Sequence, residues 1–171
     1  SLQSLAKINT PEKIEADKIN MLAILDRWKE KQKEDKPLML ILNFSGGGVR
    51  SAAFAMSILQ QLDSIANGTI MNKTALISGA SGGMLAAAYF RELVRLKTNG
   101  KNINLQHKKY VDDISQDLLN PVFSSMIARD LLSPVQKFSV GEYRYVKDRG
   151  YAFEQTLNDN THKLLDKNIG F

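Results

Sequence analysis

The stretch that decides the fold is Leu38-Met39-Leu40-Ile41-Leu42-Asn43-Phe44, followed at once by Ser45-Gly46-Gly47-Gly48. Its apolar residues follow one another without alternation, which predicts a strand that is buried on both faces. The three glycines end this strand. From residue 50 to residue 65 helical spacing returns, which predicts a helix with one apolar face formed by Ala53, Met56, Leu59, Leu62 and Ile65.

A second strand and a second helix follow in the same order. The run Thr74-Ala75-Leu76-Ile77 is short and apolar and leads into another glycine turn, and residues 83–97 again show helical spacing. Strand, helix, strand and helix over residues 38–97 is the order of a parallel α/β unit. We therefore predict an α/β fold with parallel strands.

The rest of the chain has a mainly helical pattern. Residues 1–36 form a predicted N-terminal helical segment, in which Thr10 and Pro11 have the sequence of a helix cap and first turn. Residues 37–171 are predicted to belong to the α/β domain, which carries both glycine turns. Beyond residue 100 we predict helices at about 108–119, 121–132 and 149–165.

The composition excludes several classes of protein. The chain has 171 residues, of which 43% are hydrophobic and 24% charged, and these values are typical of one globular domain. It contains no cysteine, which excludes disulfides and thiolate metal sites and is typical of a reducing compartment. No apolar run reaches the roughly 18 residues of a membrane span.

The net charge of +5 is spread along the chain. It forms no basic stripe with interleaved aromatic residues, so nucleic acid is not an expected partner. A weak attraction to anionic lipid surfaces is compatible with this charge. We expect the protein in the cytoplasm or at the periphery of a membrane. Because no cluster of His, Asp and Glu has metal-ligand spacing, we expect neither a metal nor another cofactor.

The second glycine turn is Gly79-Ala80-Ser81-Gly82-Gly83, which matches the pattern G-x-S-x-G. In this pattern a sharp strand-to-helix turn holds the serine in a strained backbone conformation with its Oγ projecting from the sheet. The flanking positions are crowded, so they require glycine or another small residue. Ser81 is the predicted nucleophile of such a turn. The alternative is a glycine-rich helix entry that only packs tightly.

The first glycine turn is Ser45-Gly46-Gly47-Gly48-Val49-Arg50, in which the glycines leave backbone N–H groups unobstructed at the tip of a strand. Such amides can stabilise a developing oxyanion. From Gly46 to Gly79 is 33 residues, about one strand–helix–strand crossover. Strands joined in this way can be neighbours about 4.8 Å apart. We therefore expect the glycine turn and Ser81 at one edge of the sheet.

The two motifs together resemble those of the patatin-like phospholipases, in which Gly-Gly-Gly-x-Arg follows one strand and Gly-x-Ser-x-Gly follows the next. These proteins are lipid acyl hydrolases, related in their core to the catalytic domain of cytosolic phospholipase A2. The resemblance covers about residues 38–98. It implies a three-layer α/β/α fold with a parallel central sheet, and a lipid or phospholipid ester as the substrate.

The resemblance also implies roles for individual residues. Ser81 would be the catalytic nucleophile of a serine–aspartate dyad. The oxyanion hole would be formed by backbone amides of Gly46, Gly47, Gly48 and Gly82. Arg50 would fix the glycine loop or meet an anionic head group, although a solvated position in the first turn of a helix is an equal alternative. The supporting glycines of the turn would be Gly79 and Gly83.

The aspartate of the dyad is missing from the sequence. In the family it precedes a glycine, whereas this chain has no Asp-Gly pair, and Asp148-Arg149-Gly150 has the wrong spacing and is interpreted as a helix start. Asp112, Asp113 and Asp117 are interpreted as a polar helical face. A serine without a base is a poor nucleophile. We therefore expect an N-terminal portion that is inactive alone, with the aspartate in the rest of the same polypeptide.

Three other readings remain open. In a general α/β-hydrolase the order serine, aspartate and then His162 would form a triad, although His162 and His107 both lie in polar surroundings. A nucleotide- or phosphate-binding module would use the first glycine turn, but no third glycine follows at the required spacing. A non-catalytic lipid-binding relative would retain the fold without the chemistry. The apolar stretch 118–132 is either a core helix or a lipid-facing wall.

Overall fold

The computed structural model describes residues 10–116, 137–140, 143–146 and 149–165, the hairpin strands by their backbone only. The predicted helix at 121–132, the stretch 118–132, Asp117 and Asp148 lie outside the described residues. The elements in chain order are α1 (Pro11–Glu30), β1 (Leu40–Phe44), α2 (Gly48–Ile65), α3 (Ile70–Lys73), β2 (Thr74–Gly79), α4 (Ser81–Thr98), α5 (Lys109–Ile114), β3 (Lys137–Val140), β4 (Tyr143–Val146) and α6 (Arg149–Asn160).

The strands β1 and β2 form a two-stranded parallel sheet. Their register places Ile41 opposite Leu76 and Phe44 opposite Gly79, so both strands end at the same edge. The helix α2 connects them. The prediction of an α/β fold with parallel strands is therefore confirmed, and the two glycine turns leave the sheet side by side.

The core lies between α2 and α4, where small side chains allow the two helices to approach closely. Ala52, Ala86 and Ala87 are completely buried there. Larger side chains complete the cluster on both helices, and those that are fully buried are Met56, Leu59, Tyr89, Phe90 and Leu93. Close packing of this kind gives each buried side chain many dispersion contacts.

The predicted apolar face of α2 was partly wrong. Leu62 is 39% and Ile65 is 79% exposed, whereas Gln60 and Asp63 are buried. The Gln60 side chain is satisfied because its Nε2 donates to the backbone oxygens of Leu105 and His107. The face of α2 that is buried is the one on which α4 and the segment before α5 pack. A side-chain amide such as that of Gln60 can be buried there because its hydrogen bonds are made.

The prediction that β1 is buried on both faces was wrong for the described part of the chain. Burial alternates along the strand: Leu40, Leu42 and Phe44 pack against the core cluster, whereas Ile41 is 60% exposed. On β2 the neighbouring Leu76 is 48% exposed. Only one face of the described sheet is covered, because α2 and α4 both contribute to the same cluster.

Among the described residues beyond residue 100, the structure has a pair of strands where the sequence predicts none. The strands β3 and β4 form an antiparallel pair, with Phe138 opposite Tyr145. The helix predicted at 108–119 is described only as α5, and the one predicted at 149–165 ends at Asn160. Alternation of polar and apolar residues across 137–146 was the missed signal of a hairpin.

The helix α1 begins as predicted and stands apart from the core. Thr10 Oγ1 accepts a hydrogen bond from the backbone N–H of Lys13, and Pro11 occupies the first turn. The helix has no buried residue, and five of its apolar side chains are about half exposed: Ile14, Ile19, Met21, Leu22 and Ile24. The Gln32 side chain, just beyond it, donates to the backbone oxygen of Asn72 at 2.9 Å and so ties the segment to α3. None of the helices in the described ranges is both long and apolar enough to cross a membrane.

Candidate active site

Ser81 stands at the sharp turn between β2 and α4. The Ala80 N–H still donates to the Phe44 carbonyl oxygen at 3.0 Å, so strand pairing continues to the residue before the serine. Ser81 is the first residue of α4 and has φ +52°, in the left-handed region that L-residues avoid. The side chain is exposed. The turn therefore has the strained serine that the motif predicts.

The glycines that flank Ser81 stand against backbone atoms of β1 and its loop. A Cβ added at Gly79 would lie 2.8 Å from the Phe44 oxygen. One added at Gly82 would overlap the Gly48 carbonyl group, and one added at Gly83 would overlap the Ser45 carbonyl oxygen. Each position thus excludes any side chain, which confirms the predicted crowding. The crowding comes from the end of β1 and the glycine turn that follows it rather than from the serine turn itself.

The first glycine turn contacts Ser81 directly. A Cβ added at Gly46 would lie 3.4 Å from Ser81 Cβ and 3.6 Å from the Ala80 oxygen. Gly47 caps α2 with φ +148°, and Gly48 begins the helix with φ +61°. These conformations are accessible to glycine and strained for other residues. The sheet register and the crossover therefore bring the two turns together, as the sequence spacing predicts.

Two helix N-termini meet at this edge of the sheet. The first turn of each helix has backbone N–H groups without an intrahelical acceptor, and the helix dipole adds partial positive charge there. Gly46, Gly47 and Gly48 are exposed, so solvent or a ligand can reach their backbone. Gly82 is buried against Gly48. The arrangement favours a negative charge beside Ser81 Oγ.

Arg50 lies in the first turn of α2 and is exposed. Within the described part of the chain it forms no ion pair, so its two predicted roles, loop support and head-group contact, stay predictions. Its guanidinium adds positive charge at the same end of α2 as the glycine turn. This charge extends the electropositive character of the site.

A groove lies between β2 and α4. Its volume is about 320 Å³, and α4 lines it with Met84, Ala88 and Arg91. Met84 is three residues after Ser81, so the groove starts about one helical turn from the nucleophile. Sequence reasoning did not identify this groove, because it forms only where α4 packs beside residues 74–77 of β2.

The acidic residue Asp113 does not belong to a solvated face, contrary to the sequence prediction. It is 8% exposed, accepts a hydrogen bond from Tyr89 Oη at 3.1 Å, and pairs with His162 Nε2 at 3.4 Å. Burial, followed by the nearby Asp113 carboxylate, raises the pKa of Tyr89 far above its ordinary value. Asp112 is exposed beside Lys108, as predicted.

The His162–Asp113 pair lies away from the nucleophile. Tyr89, which contacts Asp113, is eight residues beyond Ser81, about 12 Å along α4. Ser81 Oγ has no hydrogen-bond partner among the residues that the structure describes. The placement therefore gives no support to a triad with His162. In the same described ranges no three His, Asp or Glu residues are grouped to hold a metal ion.

Comparison with known proteins gives no relative: no protein-family model, curated protein or solved structure matches the chain. The functional interpretation therefore depends on the geometry of the two glycine turns and on the chemistry that this geometry permits.

Proposed function

We propose that this chain is the nucleophile-bearing part of a lipid acyl hydrolase of the patatin-like type. The observation that carries the proposal is the contact between a left-handed serine, Ser81, and the glycine turn at the start of α2. A tight helix entry needs small residues but has no need of a serine with positive φ, since glycine adopts that conformation without strain. A serine retained there is typical of a nucleophile turn.

In the proposed reaction Ser81 Oγ attacks the acyl carbonyl of a lipid or phospholipid ester. The serine proton passes to an aspartate acting as base, and the negative charge on the carbonyl oxygen is stabilised by amides of the Gly46–Gly48 turn and Gly82. Collapse of the intermediate expels the alcohol, which takes up the proton. Water then hydrolyses the acyl-serine ester and releases the fatty acid.

The base is proposed to come from the rest of the same polypeptide. Asp113 is the buried aspartate nearest in sequence to α4, but it is engaged by Tyr89 and His162 away from Ser81. In the described part of the chain the parallel sheet has two strands and one exposed face, whereas all-parallel sheets are almost always covered on both faces. We propose that further strands and helices complete a three-layer α/β/α fold and bring the aspartate to the site.

The apolar surfaces of the chain agree with a lipid substrate. The groove beside α4 begins about one helical turn from Ser81, at Met84, and is mostly apolar. Exposed apolar side chains on α1 offer a contact with a membrane surface, among them Ile14, Ile19, Met21 and Leu22.

The test is covalent labelling of the complete polypeptide with a fluorophosphonate probe, which reacts with activated serines. We expect labelling at Ser81, loss of labelling and of ester hydrolysis in Ser81→Ala, and no change in the control Ser64→Ala, which removes an exposed hydroxyl from α2. Unchanged hydrolysis in Ser81→Ala would refute the mechanism. A folded protein that binds lipid vesicles without labelling would instead be a non-catalytic lipid-binding relative.

A further inference from the structure

Ser51 lies where the two glycine turns meet. Its Oγ donates a hydrogen bond to the Ser45 carbonyl oxygen at 2.6 Å, across six residues. A Cβ added at Gly47 would lie 3.1 Å from Ser51 Cβ, and one added at Gly83 would lie 3.2 Å from Ser51 Oγ. The Ser51 side chain thus bonds the start of the glycine loop and lies close to its middle and to the first turn of α4.

The hydrogen bond fixes the orientation of one peptide group. The carbonyl of Ser45 and the N–H of Gly46 belong to the same planar peptide, and in the trans form they point in opposite directions. Because the hydrogen bond holds the Ser45 oxygen toward Ser51, the Gly46 N–H points away from Ser51. Gly46 is the glycine whose added Cβ would meet Ser81, so this amide belongs to the part of the loop nearest the nucleophile.

Within the described residues, no other side chain donates a hydrogen bond to residues 45–48. The glycines of this loop have the largest backbone freedom of any residue, and Gly46, Gly47 and Gly48 are exposed. An oxyanion hole works only if its donors are oriented before charge develops. The Ser45 oxygen also packs against Gly83, so the bonded position is supported by α4 as well.

We infer that Ser51 is a positioning residue that orients the Gly46 amide for stabilisation of the oxyanion, an inference that rests on the proposed function. Ser51 does not contact the substrate. Another serine of the same helix offers a matched comparison: Ser57 Oγ donates to the Ala53 carbonyl oxygen at 2.9 Å, the ordinary bond one turn back. That bond has no connection with either glycine turn.

The experiment compares Ser51→Ala, Ser51→Thr and Ser57→Ala in the complete polypeptide, with a soluble p-nitrophenyl ester as substrate. We expect Ser51→Ala to lower kcat about 10- to 100-fold, as misplacement of a catalytic group does, with KM within about twofold. The rate of fluorophosphonate labelling should fall in parallel. Ser51→Thr, which keeps the hydroxyl, should recover most of the loss, and Ser57→Ala should resemble the wild type.

The outcomes separate this inference from the proposed function. If the wild type is labelled at Ser81 but Ser51→Ala and Ser57→Ala have the same kcat, the positioning role is wrong and the hydrolase remains. Equal loss in Ser51→Ala and Ser51→Thr, with unchanged melting temperatures, would also overturn the role of the hydroxyl. If the wild type is neither labelled nor active, both proposals fail.

Discussion

At the scale of single residues, the glycines of the site separate into two kinds. Some are required by the fold, because a side chain would overlap backbone, as at Gly82 and Gly83. Gly46 is different, because an added Cβ would only reach ordinary contact with Ser81 and Ala80. Gly82 and Gly83 allow α2 and α4 to pack closely, whereas Gly46 leaves room for a substrate beside Ser81.

Gly46→Ala should therefore slow the reaction of Ser81 without lowering the free energy of unfolding. The methyl group would sit against Ser81 at 3.4 Å and narrow the approach of an acyl carbonyl. We expect slower fluorophosphonate labelling of the complete polypeptide, with a free energy of unfolding within about 0.5 kcal/mol of the wild type. Labelling at the wild-type rate would show that Gly46 does not border the reacting group.

Gly82→Ala should do the reverse and destabilise the fold. The added Cβ would overlap the Gly48 carbonyl group, which is backbone and cannot rotate away. We expect a loss of about 1–3 kcal/mol in the free energy of unfolding, the usual cost of overpacking. Denaturant titration measures it, with Gly46→Ala as the matched control. Equal stability of the two variants would contradict the close contact of the two turns.

At the scale of elements, buried polar groups link the helices. Tyr89 on α4 donates to Asp113 on α5, which also pairs with His162 just beyond α6. Tyr89 also packs edge-on against Tyr110, with ring centroids 6.0 Å apart. The cluster joins α4 and α5 to the segment beyond α6, about 12 Å along α4 from Ser81, which is a structural role.

Tyr89→Phe should weaken this junction. It removes the hydrogen bond but keeps the ring, so Asp113 loses a donor while staying buried. We expect the free energy of unfolding to fall by about 2 kcal/mol, a value typical of hydrogen bonds to charged groups. A double-mutant cycle with Asp113→Asn should give a coupling of about 1 kcal/mol. Strict additivity would mean that the two side chains do not interact.

Asp63 on α2 should make stability depend on pH. It is 3% exposed, and burial raises the pKa of its carboxyl, an effect that the Ile70 backbone N–H and Lys97 oppose. Its ionised form is thus disfavoured in the folded state. Its contribution to stability is fully present below the unfolded pKa of about 3.9 and is lost as pH rises through the higher folded pKa.

Asp63→Asn should remove this residue's share of the loss of stability with rising pH, because the amide does not ionise. The free energy of unfolding, measured from pH 4 to pH 7, should fall less steeply in this variant than in the wild type. The matched control is Asp112→Asn, which changes an exposed carboxylate on α5 and should keep the decline. An unchanged slope in Asp63→Asn would show that Asp63 is not the group responsible.

At the scale of the whole molecule, the described sheet has one covered and one bare face. Ile41 and Leu42 are neighbours on β1 and point to opposite faces, with Ile41 60% exposed and Leu42 packed against the core cluster. In this 171-residue chain Ile41→Ala should change the free energy of unfolding by less than about 0.5 kcal/mol. Leu42→Ala should lose about 2 kcal/mol.

In the complete polypeptide the proposed third layer would bury Ile41. Ile41→Ala should then cost about as much as Leu42→Ala, and thermal or denaturant unfolding of both variants measures this. A persistent difference between them would show that the face stays bare and would argue against a three-layer fold.

Much of the site could be predicted from the sequence, because its determinants are local. The positive φ of Ser81 follows from a strand-to-helix turn, and the neighbourhood of Gly46 and Ser81 follows from one crossover between adjacent parallel strands. The burial of Asp113 and the exposure of Ile41 could not be predicted in this way. The burial of each residue depends on which helix or strand packs against it. The pattern of apolar residues along the chain does not identify that helix or strand.

The sequence by itself determined the order of strands and helices over residues 38–97, the two glycine turns and the residue that stands at each, since backbone sterics act over a few neighbouring positions. The tertiary structure decided which face of β1 is covered, which acidic residue is buried, and that Ser51 reaches back to Ser45. These features depend on contacts between elements that are distant along the chain. Their free energy comes from packing and desolvation, which are properties of the assembled helices and sheet and not of any one segment.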